Sequence, residues 1–170
     1  MWRRVEVNAS IGQPVERVFA YLADPMRWRQ FAPACVYRRK IGHESTRVGT
    51  RWEATDLIGP FPFRFIDELM ALEPNQRVVW WSSAPWNARV EYACQQDGRG
   101  TRIRATYEGD ISGRLRLLVG WLPASVTHWI LAQDFRRLAR VLAKDGQPAH
   151  EADAGETVAW LVDGPNPEVS

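Results

Sequence analysis

Apolar and polar positions alternate from the start of the 170-residue chain: VEVNAS, residues 5–10, reads as a strand of period two. The period then lengthens. In GQPVERVFAYLAD, Val15, Val18, Phe19 and Leu22 fall on one helical face with Pro14 at the first helical position, and Asp24-Pro25 ends the run. MRWRQFAP adds a short helical turn closing at Pro33. From Cys35 to Ile111 the texture is again that of strands, approximately 35–44, 48–57, 62–73, 76–83, 87–96 and 101–111. Gly49, Gly59-Pro60, Glu73-Pro74-Asn75, Ala84-Pro85 and Asp97-Gly98 divide them, and gaps of hairpin length predict an antiparallel meander. Beyond Gly113, PASVTHWILAQDFRRLARVLAK predicts a long helix beginning near Pro123. Val126, Ile130, Leu131, Phe135, Leu138, Val141 and Leu142 form its apolar stripe, and Arg136, Arg137, Arg140 and Lys144 its wet side.

Parity assigns faces to the strands. If the convex face is solvated, Arg51, Glu53 and Thr55 point out and Trp52, Ala54 and Asp56 point in. Likewise Arg89 and Glu91 point out and Ala88, Val90, Tyr92 and Cys94 in, while Arg102, Arg104 and Glu108 oppose Ile103, Ala105, Tyr107 and Gly109. On 62–73 the inward set is Phe63, Phe65, Asp67 and Leu69, with room for a bulge to change parity partway. In VVWWSSAPW (78–86) the adjacent Trp80 and Trp81 must take opposite faces. The outer indole then needs a cover: Trp86, the apolar island TVAWLV (157–162) or a second subunit, which is the case for a homodimer.

Composition narrows the class. Apolar residues make up 45% and charged residues 25%, as in ordinary globular domains. The overall charge of +2 hides an asymmetry: from Asp145 onward there are six acids (Asp145, Glu151, Asp153, Glu156, Asp163, Glu168) and no Lys or Arg. The first 144 residues hold all 22 basic but only 14 acidic residues, a balance of +8. Residues 1–144 therefore read as one domain and 145–170 as an acidic, flexible tail. A solvated arginine-rich surface, rather than a nucleic-acid interface, is the expected use of the excess charge. MWRRVEVNAS has no apolar run and is not a secretory signal, and Cys35 and Cys94 lack metal or disulfide spacing, which points to a reducing cytoplasm. The uncharged stretch Leu117–Gln133 contains Gly120, Pro123, Ser125, Thr127 and His128 and reads as a buried core helix, not a stable membrane span.

The stretches VEVNASIGQPVERVFAYLADPMRWRQFAP, VGTRWEAT, LEPNQRVVWW, GTRIRATYEGDISG and FRRLARVLA, across roughly residues 3–143, resemble the START-related, pollen-allergen-like (SRPBCC) superfamily and its polyketide cyclase/dehydrase group. The resemblance implies an α+β helix-grip fold: a curved seven-stranded antiparallel sheet around a long C-terminal helix, with two short helices after the first strand and an apolar cavity between sheet and helix. It also favours Trp80 as the inward indole. Physical reasoning runs the same way, since a one-layer sheet must bury one face and the long helix is the available cover.

On that fold the inward aromatics Trp28, Phe31, Trp52, Phe63, Phe65, Trp80 and Tyr92, with Val126 and Ile130 of the helix, are candidate ligand-binding residues, although the same rings serve equally as core. Asp67, Tyr107 and Asp56 are the candidate catalytic groups. An inward carboxylate is costly unless paired, and perturbed acid–base chemistry collects at such positions. The structural alternative places both aspartates near strand ends in water. No GxSxG, HExxH, P-loop or GxGxxG occurs, and His43, His128 and His150 are not spaced as metal ligands, so neither metal nor cofactor is expected. The expected function is binding of a hydrophobic small molecule (polyketide-like, aromatic or lipid), with cyclisation or dehydration as the reaction of an enzyme of this kind. The alternative is a non-catalytic lipid, quinone or metabolite carrier or sensor. A third reading, an interaction protein, rests on the charge asymmetry alone.

Overall fold

The computed structural model describes residues 3–110, 112–113, 116–117 and 124–145. The expected tail with its TVAWLV island, and residues 118–123 directly ahead of Ala124, lie outside them. Strand β1 (Arg3–Ile11) leads into helices α1 (Val15–Leu22) and α2 (Pro25–Trp28). Six strands follow: β2 (Cys35–Ile41), β3 (Arg51–Ile58), β4 (Phe61–Glu73), β5 (Arg77–Ser82), β6 (Ala88–Asp97) and β7 (Gly100–Gly109). Helix α3 (Ala124–Asp145) closes the described chain. Pairing is antiparallel throughout in the order β1-β7-β6-β5-β4-β3-β2. The meander from β2 thus ends against β1, and α1 and α2 carry the chain from one sheet edge to the other.

Local chemistry sets the breaks. Pro14 is the N-cap of α1, one position ahead of its predicted place. Asp24 accepts from the Met26 amide and Pro25 opens α2, so one dipeptide both separates the helices and starts the second. The β6–β7 hairpin turns through Gly98 at φ 59°, a left-handed conformation that suits glycine. At its other end Gly109 lies opposite Ala88, where a Cβ would stand 2.7 Å from the Ala88 Cβ, so only glycine lets the strands meet there.

The inward set assembles as parity predicts. Phe65, Asp67 and Leu69 of β4 are buried, and the register shift between Leu69 and Ala71 leaves Met70 as the extra, exposed residue of a bulge. Trp80 is fully buried, while Trp81 is half-buried on the convex face between Glu68 and Arg89. Trp86 does not cover Trp81: it packs edge-on to Phe65, an inward ring, at 6.2 Å. The indoles of Trp28 and Trp80 both donate to the Leu22 carbonyl at 3.3 Å, one of the carbonyls that the end of α1 leaves without a helical partner.

Helix α3 packs on β1, and Arg17 and Tyr21 of α1 bond to Leu142 O and Asp145. Phe135, Leu138 and Leu142 are buried, but the stripe is narrower than predicted. At about 100° per residue, Ile130 lies roughly 140° and Val126 roughly 180° around the helix from Phe135. Ile130 is exposed and Val126 half-buried, so neither continues the buried stripe. The expected buried helix over 117–133 is corrected where it is described: Leu117 is exposed, and so is Trp129 in the first turns of α3, while 118–123 lie outside the described residues. On the convex face arginines meet acids in a lattice: Arg4–Glu108 at 3.3 Å, Arg77–Glu91 at 2.8 Å, Arg51–Glu68 at 2.8 Å and Arg39–Glu53 at 2.7 Å.

Candidate functional site

Two sets of inward residues differ in how far they are covered. Toward the α1 end of the sheet, Val7, Val78, Tyr92, Ile103 and Ala105 close against Phe135, Leu138 and Leu142. Toward the opposite end, Phe63, Asp56, Val90 and Tyr107 are only half-buried, as are Leu131 and Asp134 of α3. The open part of the grip is therefore the end where β2, β3 and β4 run on beyond Ser82, the last residue of β5.

A buried charge cluster stands behind that opening. Arg38 of β2 is opposite Ala54 of β3, which is opposite Phe65 of β4. The small Ala54 side chain leaves space over the sheet, and the guanidinium occupies it, 5.3 Å from the Phe65 ring and 5.6 Å from that of Trp28. Its Nη2 donates to Asp56 Oδ1 at 2.8 Å and to Cys35 Sγ at 3.2 Å, and its Nη1 to the Tyr37 carbonyl at 2.8 Å. Arg38 Nε is 3.4 Å from Asp67 Oδ2, too poorly aligned for a hydrogen bond, and both atoms are buried without a hydrogen-bonding partner. Ser82 Oγ donates to Asp67 Oδ1 at 2.6 Å.

Burial, opposed by Arg38 and the Ser82 bond, raises the Asp67 pKa to about 6. The same desolvation raises Asp56, again against Arg38. Asp56 and Asp67 are thus inward, as parity predicts, and neither sits in open water: their side chains are 13% and 1% exposed. That difference separates them chemically. Asp56 keeps some accessible surface, whereas Asp67 is sealed.

Facing this cluster, Tyr92 and Tyr107 bond hydroxyl to hydroxyl at 2.8 Å, and burial raises both phenols. Tyr92 also meets Phe135 edge-on at 6.3 Å. Of the other candidate ligand-binding residues, Trp28, Phe31, Trp52 and Phe65 are buried, and Trp52 and Trp28 stand edge-on to Trp80 at 5.1 and 5.4 Å. These rings form a closed tryptophan core. Phe63 is half-buried toward the open end.

Two residues of the cluster were not legible in the sequence. Arg38 lies in CVYRRKI, where Tyr37 and Ile41 are exposed and the arginine is buried, the reverse of ordinary patterning. Its one signal was the need of two inward carboxylates for a cation. Asp134, about 100° from Phe135 on the flank of α3, has a side chain 17% exposed and bonds to Arg137 at 2.9 Å. Burial pushes its pKa up to about 6 against Arg137, with Asp56 adding to the rise. Among the described residues no group of three or more His, Cys, Asp or Glu side chains is disposed to hold a metal ion.

Residues 3–145 match the family model described as polyketide cyclase/dehydrase and lipid transport. The chain belongs to that family. No curated protein matches it. Among solved structures, this family member is similar to a Thermus thermophilus protein at 15% identity, TM-score 0.71, covering 85% of this chain and 100% of the other. It is similar to the Zhui aromatase/cyclase of a Streptomyces species at 14% identity, TM-score 0.65, over 87% and 98% of the two chains. A norcoclaurine synthase of Thalictrum, a point mutant holding a transition-state analogue, aligns at 11% identity, TM-score 0.62, over 86% and 98%. At these identities the likeness is one of fold. No helix among the described residues of this family member is long and apolar enough to cross a membrane.

Proposed function

We propose that the protein binds a hydrophobic small molecule, polyketide-like or aromatic, in the open part of the grip and moves protons on it, as cyclisation or dehydration requires. The observation that carries this reading is the convergence of Arg38, Asp56, Asp67, Tyr92 and Tyr107 on a concave face otherwise lined by apolar side chains. Polar groups of raised pKa at an apolar site are the usual equipment of acid–base chemistry. Asp56 and Tyr107 meet the ligand in this reading. Asp67 is a positioning residue, holding Arg38 and through it Asp56.

One observation favours a second reading, a carrier without turnover: the strongly perturbed Asp67 has no surface for a ligand to touch. Native mass spectrometry of freshly purified protein separates binding from its absence. A co-purified mass of a few hundred daltons that leaves on denaturation is expected. An empty protein that also fails to enhance 1-anilinonaphthalene-8-sulfonate fluorescence would defeat both readings together.

A further inference from the structure

We propose that the acidic tail folds back along the outer face of α3, with the TVAWLV island (157–162) seated on Trp129 and the acids ahead of it against Arg140 and Lys144. This contact is independent of ligand binding in the grip.

The outer face of α3 carries two chemistries in order. Trp129 is 61% exposed, and Val126, half-buried one turn before it, widens the apolar area. Grouped apolar side chains on a surface mark a contact, where a single one would not. Three turns beyond Trp129, Arg140 lies within about 20° of its direction and Lys144 within about 60°. Both are exposed and stand in no ion pair among the described residues. Ile130 is turned about 100° from Trp129 and stays outside this line.

The tail presents the same order to a chain that turns back. After Asp145 come Glu151, Asp153 and Glu156 with no Lys or Arg among them, and then the island. Within it Val158, Trp160 and Val162 fall on one side of an extended run. Acids thus meet the basic part of α3 first, and apolar residues meet Trp129 after it. Gly146 and Pro148 are residues of the kind that end a helix and redirect the chain. The point of departure is fixed, because Asp145 accepts from Tyr21 and the Leu142 carbonyl from Arg17, which pins the end of α3 to α1. Along the helix Arg140 lies about 8 Å and Trp129 about 24 Å back from Asp145. The twelve residues from Gly146 to Thr157 can span about 40 Å, so the island reaches Trp129 with length to spare. Trp81 is the poorer seat: it lies across the sheet from α3, half-buried between Glu68 and Arg89. Opposite charge favours the encounter, and the tether supplies an effective concentration on the order of millimolar, so a weak contact suffices. Any other partner of this face has to displace the tail first.

Hydrogen exchange of the full chain, followed by mass spectrometry, is the test. The amides of 157–162 are expected to exchange about tenfold slower than in a free peptide of the same sequence, at any protein concentration. Trp129→Ser should return them to the peptide rate, whereas Ile130→Ser should not. The double variant Arg140→Glu/Lys144→Glu should lose most of the protection, and adding Glu151→Arg, Asp153→Arg and Glu156→Arg should restore it. Exchange at the peptide rate in the wild-type chain overturns the proposal, as does protection that survives Trp129→Ser. Protection that grows with protein concentration makes a second copy the occupant and overturns it too. Trp129, Arg140 and Lys144 are exposed, so the fold should survive each change, and exchange around the buried Leu138 reports that it has.

Discussion

Burying the Arg38 guanidinium obliges the sheet to provide a counter-charge, and β3 and β4 provide one each. Removing one partner of a buried pair leaves the other uncompensated, a loss of about 3–5 kcal/mol. Arg38→Ala is therefore expected to destabilise the protein by that amount in urea unfolding. Asp67 makes a different prediction. Its pKa is raised in the fold from the ordinary 3.8 to about 6, so the folded state keeps the proton longer than the unfolded chain. Its contribution to stability is then full below about pH 4, falls as pH rises to about 6 and is level above, on the order of 2–3 kcal/mol in all. Asp67→Asn should flatten that slope when unfolding free energy is measured from pH 4 to 7. Alternation placed both aspartates inward, because Trp52–Asp56 and Phe65–Leu69 carry apolar neighbours of the same parity. Arg38 escaped it because Tyr37 and Ile41, exposed on the sheet edge, mislead any reading of β2 from hydropathy.

Helix α3 shows how much of an element its period can predict. Its existence and its lower stripe follow from sequence. Its upper part does not, because apolar residues there serve no closed core. Leu138→Ala is expected to cost about 2–5 kcal/mol, since Leu138 is fully buried. Ile130→Ala should stay within about 0.5 kcal/mol of wild type, since Ile130 lies on the exposed side. Thermal or urea unfolding of the two variants checks the contrast, and equal losses would mean that the upper turns are covered after all. The bulge at Met70 is a similar case: sequence made room for it, but only the pairing of Leu69 with Trp80 and Ala71 with Val79 fixes its position.

Across the whole molecule, the charge balance read from the sequence takes on a definite form. Many arginines of the body stand beside acids on the convex face, although the balance of +8 remains after those pairs are counted. Exposed pairs contribute at most about 1 kcal/mol each and are screened by salt. Raising sodium chloride from 0.1 to 1 M should accordingly lower stability by no more than about 1–2 kcal/mol, read from the urea midpoint at pH 7. A much larger loss would assign the lattice a structural weight that its exposure does not suggest. The order of elements was legible throughout because each break carries its own turn chemistry. Coverage of the concave face was not, since it depends on where two ends of a curved sheet meet one helix.

The indoles of Trp28 and Trp52 each stand edge-on to that of Trp80, at 5.4 and 5.1 Å, and Trp28 and Trp80 share the Leu22 carbonyl. At such spacings the chromophores couple electronically and pass excitation between them. The fold thus contains its own optical gauge: an ultraviolet circular-dichroism couplet from this triad is expected, and should vanish when α1, α2 and the sheet part. A ligand settling beside Arg38 would be seen in that light without any label.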